Sequence, residues 1–151
     1  MTTANKQNLA DNHAFQGSSS APQAYSADPT ALSAGRRFLA ALAARDFERL
    51  EDCFQADVSF RALVPSGVRE GIGPQVTVAW LRRWFEEADL FDMQRMNVDM
   101  VADHLHITYR IRLRKEGLMQ VIEQQAYCAV VDGRVTVMNL LCSGFRLETI
   151  S

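Results

Sequence analysis

Cysteine is scarce in this chain of 151 residues: Cys53, Cys128 and Cys142 are the whole set, and no CxxC pair occurs. An odd count at such spacing excludes a disulfide frame and a zinc site, and reads as buried thiols in a reducing cytoplasm. Excess charge of either sign is also missing. Sixteen Lys+Arg against 18 Asp+Glu leave a net charge of −2, so there is no basic field for nucleic acid. No apolar run approaches the ~18 residues of a membrane span. The first residues carry one lysine with no apolar stretch behind it, unlike a secretory signal. Phosphate loops, Ser-His-Asp arrangements and metal-ligand spacings are absent, and no cofactor or metal is expected.

What is present is a core. Apolar residues make up 48% of the chain, enough for one domain to bury an interior unaided. Residues 1–27 stand apart, dominated by Ala, Ser, Thr, Asn and Gln. They read as a flexible tail, with a helix or arm against a partner as the alternative. The domain is expected over 28–151. Asp28-Pro29 opens a helix, Asp as N-cap and Pro at the first helical position, and Leu32, Phe38, Leu39 and Leu42 form its apolar face. Asp46 caps a short second helix bearing Phe47, Leu50, Cys53 and Phe54. Val58, Phe60 and Ala62 alternate as in a strand, and Pro65-Ser66-Gly67 is a turn. A third helix is predicted over about 75–90, with Val76, Trp80, Leu81, Trp84 and Phe85. The remainder reads as strands over about 95–101, 104–114, 119–131 and 134–147, the last with a break at Ser143-Gly144.

Glu116-Gly117 and Asp132-Gly133 are two-residue hairpin turns, and they fix register because side chains alternate with period two. Lys115 then faces Leu118, and Val131 faces Arg134. Leu105, Ile107, Tyr109, Ile111 and Leu113 share an inner face with Ile122, Gln124, Ala126, Cys128 and Val130. Val135, Val137, Asn139 and Leu141 are expected to complete it. The outer face carries His106, Thr108, Arg110, Arg112, Glu123, Gln125, Tyr127, Thr136, Met138, Leu140 and Cys142, with Arg110 opposite Glu123.

The order helix, short helix, strand, long helix, antiparallel meander resembles the nuclear transport factor 2-like superfamily, and within it the SnoaL-like branch. The resemblance spans about 29–147 and is carried by AALAARDFERLEDCFQADVSF (Ala40 to Phe60), VREGIGPQVTVAWLRRWF (Val68 to Phe85) and VDGRVTVMNL (Val131 to Leu140). It implies an α+β fold: a cone-shaped curved antiparallel sheet wrapped around a long N-terminal helix, as in cystatin-like α+β barrels. It also implies a pocket for a small apolar or polycyclic molecule and a homodimer through the outer sheet face. In that picture Phe38, Phe60, Trp84, Tyr109, Gln124 and Asn139 line the cone. Tyr127, Met138, Leu140 and Cys142 make the apolar patch of the dimer.

Ketosteroid isomerases of this superfamily use a carboxylate base, a tyrosine and a protonated acid. The resemblance carries these onto Ala62, Phe38 and Ala126 (Tyr127 if the hairpin slips by one), so none remains. The epoxide hydrolase version uses an Asp–Arg–Asp cluster, and the matching positions read Tyr109-Arg110-Ile111-Arg112 and Leu140. Polyketide cyclases use an Asp or His, and here His104 and His106 fall on the polar face. A one-residue slip would gather His106, Arg110, Glu123 and Tyr127 inside the cone as an acid–base site. In the preferred register the inward polar groups are Tyr109, Gln124 and Asn139, which either satisfy one another or hold a ligand carbonyl or hydroxyl. Arg82-Arg83 and the Arg110/Arg112/Arg114 series read as solvated faces, salt-paired with Glu86, Glu87 and Glu123. The expected function is binding of a small apolar molecule, by an isomerase, cyclase or hydratase lacking the isomerase residues. The alternative is a non-catalytic binding or dimerisation module. Cavity volume, and whether a titratable group lines it, separate the two.

Overall fold

The computed structural model describes residues 28–149, so the tail expected over 1–27 lies outside the described residues. In chain order the elements are α1 (Pro29–Ala43), α2 (Phe47–Asp52), β1 (Phe54–Val64), β2 (Gly67–Ile72), α3 (Pro74–Phe85), β3 (Leu90–Val101), β4 (His104–Lys115), β5 (Leu118–Val131), β6 (Arg134–Cys142) and β7 (Arg146–Leu147). Asp28 caps α1 by accepting the Thr30 N–H at 2.9 Å, with Pro29 following it. Asp46 caps α2 through the Arg49 N–H at 3.1 Å. Each side-chain cap offsets a donor that the first helical turn leaves unpaired. In α1, Phe38 and Leu42 point into the core. Gly35 stands where a Cβ would come within 2.7 Å of Val98. The helix accepts glycine's lower propensity, about 1 kcal/mol, in order to lie close against β3.

The strands run in the order β2-β1-β6-β5-β4-β3, with β7 paired to β5 off that path. β1 and β6 are parallel; the remaining pairs are antiparallel. Between β4 and β5 the hairpin register holds: Lys115 faces Leu118, Tyr109 faces Gln124 and Arg110 faces Glu123. Leu105, Ile107, Ile111, Leu113, Ile122, Ala126 and Cys128 are buried in a core shared with Phe38, Leu42, Leu50, Leu81 and Phe85. This is the α+β cone, a curved and unclosed sheet around the helices.

β6 departs from expectation. Val130 faces Val135, but Ala129 faces Val137, so Thr136 is an extra residue. Such a bulge reverses the side-chain alternation beyond it. Met138, Leu140 and Cys142 therefore turn inward, 0%, 4% and 7% exposed, while Asn139 and Leu141 face outward. Asn139 is thus on the outer face and not in the cone, and Met138, Leu140 and Cys142 belong to the core and not to an outer patch. Register shifts also fall in β1 between Phe54 and Ser59 and in β3 between Met93 and Arg95. Bulges of this kind bend the sheet toward closure.

Two further boundaries move. Gly67–Ile72, expected as a lead into the helix, is a strand hydrogen-bonded to β1, with Val64 facing Gly67 across a tight turn. α3 ends at Phe85, and Leu90 is already paired with Arg114 in β3. Arg45 explains where the helix stops. Its Nη1 donates to the carbonyls of Phe85 at 3.2 Å and Ala88 at 2.7 Å, and its guanidinium lies 5.0 Å over the Phe91 ring. A cation on the terminal carbonyls satisfies acceptors that the last turn leaves free.

Candidate ligand site

Residues of α3, the β1–β2 hairpin and the segment between β6 and β7 line a cleft of about 630 Å³. Its apolar walls are Trp80, Trp84, Ile122 and Phe145. The two indoles, four residues apart on α3, lie 6.1 Å between centroids at 36°. Phe145 reaches the wall because the chain turns sharply before it. Gly144 has φ +77, and a Cβ there would fall 2.6 Å from the Pro65 ring, so only glycine fits. Ser143 pins the turn, its Oγ accepting the Glu123 N–H at 2.9 Å. Phe145 then packs edge-on against Phe85 at 6.4 Å.

Behind the cleft lies a short polar chain. Tyr109 Oη donates to Gln124 Oε1, Gln124 Nε2 donates to Cys142 Sγ at 3.3 Å, and the Gly144 N–H donates to the same sulfur at 3.3 Å. Burial, with Cys142 and Cys128 nearby, pushes the Tyr109 phenol well above its usual range, so the hydroxyl stays a donor. The third member of the inward polar set is therefore Cys142, not Asn139. One sequence signal pointed there. In VTVMNLLC (Val135 to Cys142), the alternation Met138, Leu140, Cys142 is wholly apolar, whereas Val137, Asn139, Leu141 is interrupted by an amide.

The structure distributes the anticipated site residues over three places. Trp84 lines the cleft. Phe38 and Phe60 are fully buried core residues, and Phe38 packs at 6.2 Å against both Phe54 and Tyr109. Ala62 and Ala126, at the other two isomerase positions, are also fully buried. His106, Arg110, Glu123 and Tyr127 occupy the outer sheet face as two separate pairs. His106 stacks on Tyr127 at 4.6 Å, with Nδ1 at 2.8 Å from Asp99 Oδ1 and Nε2 at 3.2 Å from Gln125 Oε1. Arg110 donates to Glu123 Oε1 at 3.1 Å. Four residues of strand separate the pairs, about 13 Å at ~3.3 Å per residue, so they form no single acid–base site. Arg110 and Glu123 flank an open groove of about 500 Å³ together with Arg95, Thr108 and Gln125, and Tyr109, Gln124 and Cys142 line it as well. Among the described residues no group of three or more His, Cys, Asp and Glu could hold a metal ion.

The arginines also divide. Arg82 pairs with Glu86 at 2.8 Å, Arg112 with Glu148 at 2.5 Å and Arg114 with Asp89 at 3.0 Å. Arg83, expected on the same solvated face as Arg82, instead places its guanidinium 5.6 Å over the Trp80 ring at the cleft. Arg69 does the same from the hairpin, also at 5.6 Å.

No curated protein matches the chain, but solved structures do. An LEH-like epoxide hydrolase from M. tuberculosis is 20% identical with a TM-score of 0.60, covering 76% of this chain and 83% of that one. A hypothetical protein from Catenulispora acidiphila with a ketosteroid isomerase-like fold, solved in complex with trimethylamine, is 14% identical with a TM-score of 0.60, covering 72% and 84%. A nuclear transport factor 2-like protein from Burkholderia xenovorans is 16% identical with a TM-score of 0.55, covering 81% and 88%. At these identities the likeness is one of fold. The SnoaL-like domain family model matches residues 35–138. That span runs from within α1, through the hairpins, to just past the bulge of β6, and the chain belongs to the SnoaL-like domain family.

Proposed function

We propose that this protein binds a small, largely apolar molecule in the cleft between α3 and the β6–β7 segment, as a binding protein and not an acid–base catalyst. One observation carries the reading: a cleft of about 630 Å³ walled by Trp80, Trp84, Ile122 and Phe145, with no carboxylate or imidazole among its lining residues. The volume is within the usual range for small-molecule sites, roughly 300–1,000 Å³. Aromatic walls supply a flat contact area at small entropic cost. The one thiol, Cys142, already accepts two hydrogen bonds from Gln124 and Gly144. The positions that carry isomerase chemistry in the resemblance are Phe38, Ala62 and Ala126, all buried and apolar.

The test is titration with N-phenyl-1-naphthylamine, an uncharged probe whose emission rises in apolar surroundings. Binding should saturate at one site and should weaken about tenfold in Trp84→Ala, the loss of one stacking wall. Trp80→Ala gives a second variant should the first fail to fold. Saturable binding unaffected by either change would place the molecule elsewhere and refute the reading.

The outer sheet face is proposed as a homodimer surface. Leu63, Tyr127 and Leu141, 52%, 40% and 48% exposed, stand on β1, β5 and β6, which are neighbours in the sheet. Contiguous apolar exposure of this kind is what a partner subunit would cover.

A further inference from the structure

We infer that the molecule held in the cleft is an organic anion: a flat apolar ring system bearing a carboxylate, which Arg69 and Arg83 receive at the cleft rim. The inference rests on the cleft reading above and adds the chemical class of its occupant. Arg69, Arg83 and Arg146 all line the cleft, and no Asp or Glu does, although the chain as a whole carries a net charge of −2. Among the described residues none of the three takes part in a salt bridge. That sets them apart from Arg82, Arg110, Arg112 and Arg114, each of which has a carboxylate partner.

The geometry favours a planar anion. Arg69 and Arg83 approach the one Trp80 indole from β2 and α3, each 5.6 Å from its centroid. Arg69 is also held from behind, its Nη2 donating to Ser66 Oγ at 2.7 Å and its Nη1 to the Val68 carbonyl at 3.2 Å. Stacked guanidinium groups are restrained in orientation, and a guanidinium presents five N–H donors in a fork that fits a carboxylate. Lys115, donating to the Trp84 carbonyl at 3.2 Å and lying 5.0 Å over Phe145, adds positive potential at the same end. A ring system seated against Trp84 and Ile122 would present an attached carboxylate toward these cations. Such a cluster of unpaired cations beside an apolar wall discriminates by charge, because the neutral analogue gains only the wall.

Pyrene-1-carboxylate and pyrene-1-carboxamide test this directly, since they share one apolar body and differ in charge. Binding is read at low salt as loss of protein emission; Trp80 and Trp84 are the chain's two tryptophans. The carboxylate should bind about tenfold tighter than the carboxamide, and the difference should shrink as salt rises. In Arg69→Gln/Arg83→Gln the contrast should fall to about twofold or less, with carboxamide affinity unchanged. Arg36→Gln, an exposed arginine on α1, should keep the full contrast and controls for net charge. Circular dichroism melts verify that the variants fold. Equal affinity for the two probes would overturn the anion inference while leaving the cleft reading standing. A contrast that survives in the double variant would also overturn it, since the charge would then be read elsewhere. Absence of binding by both probes would remove the cleft reading itself.

Discussion

Tyr109→Phe removes one oxygen from a buried position, and its effect can be worked out in advance. Tyr109 and Gln124 are each 3% exposed, and the phenol is the donor to Gln124 Oε1. Phenylalanine keeps the packing against Phe38 but strands that carbonyl oxygen without a donor. An unsatisfied buried acceptor costs about 1–3 kcal/mol. For a domain near this size each kcal/mol lowers Tm by roughly 2–4 °C, so a loss of about 6 °C is expected. Removing the other partner as well, in Tyr109→Phe/Gln124→Met, should return stability to within about 1 kcal/mol of wild type. Cys142 still accepts the Gly144 N–H in that variant. Urea unfolding followed by tryptophan emission gives the four corners of the cycle.

The same residue sets an alkaline limit. Its phenol lies well above the usual range in the folded protein and near 10 when unfolded. The folded state therefore holds a proton that the unfolded state releases. The stability it contributes is complete below about pH 10 and is lost as pH rises above it. Cys128, pushed up to about 12 by burial, acts in the same sense but is present in both proteins. The penalty of Tyr109→Phe should thus be constant from pH 7 to about 9 and shrink above pH 10. A penalty under about 0.5 kcal/mol at pH 7, or an additive cycle, would mean that Gln124 finds another donor.

Arg45→Ala should lower stability by about 2 kcal/mol, since it frees the carbonyls of Phe85 and Ala88 from a charged donor; thermal melts check it, and Arg45→Lys should recover only part. If the outer face joins two subunits, Leu141→Glu, at an exposed position on β6, should give a monomer by light scattering with Tm little changed. A wild-type monomer at high protein concentration would dismiss the homodimer.

Much of the cone was legible because it is specified locally. Asp28 and Asp46 cap their helices as their positions imply. Gly117 and Gly133 adopt the positive φ their turns require; the first turn sets the pairing of β4 with β5, and the second sets the start of the β5–β6 pairing. His106 and Arg110 were thereby assigned to the outer face, where the structure has them. The inner end of the site was legible only in part. The hairpin register makes Tyr109 and Gln124 partners, whereas the inward turn of Cys142 depends on the bulge at Thr136, which simple alternation along the strand does not contain. Gly67–Ile72 carries little strand signal because its apolar residues are few and exposed. That strand exists by pairing with β1, not by burying a face of its own.

The sequence by itself determined what short-range forces decide: helix starts, hairpin turns, and an oily face opposed to a charged one on β4 and β5. Only the tertiary structure decided which way β6 turns its side chains, because an extra residue is accommodated where a strand must fit both a parallel neighbour, β1, and an antiparallel one, β5. It also decided that Arg83 meets Trp80 while Arg82 meets Glu86. Adjacent residues on a helix point about 100° apart, and what each one finds depends on segments far away in the chain. The cleft is the sum of such encounters: α3, the β1–β2 hairpin and the turn at Gly144 each contribute one wall, and none of them contains it alone.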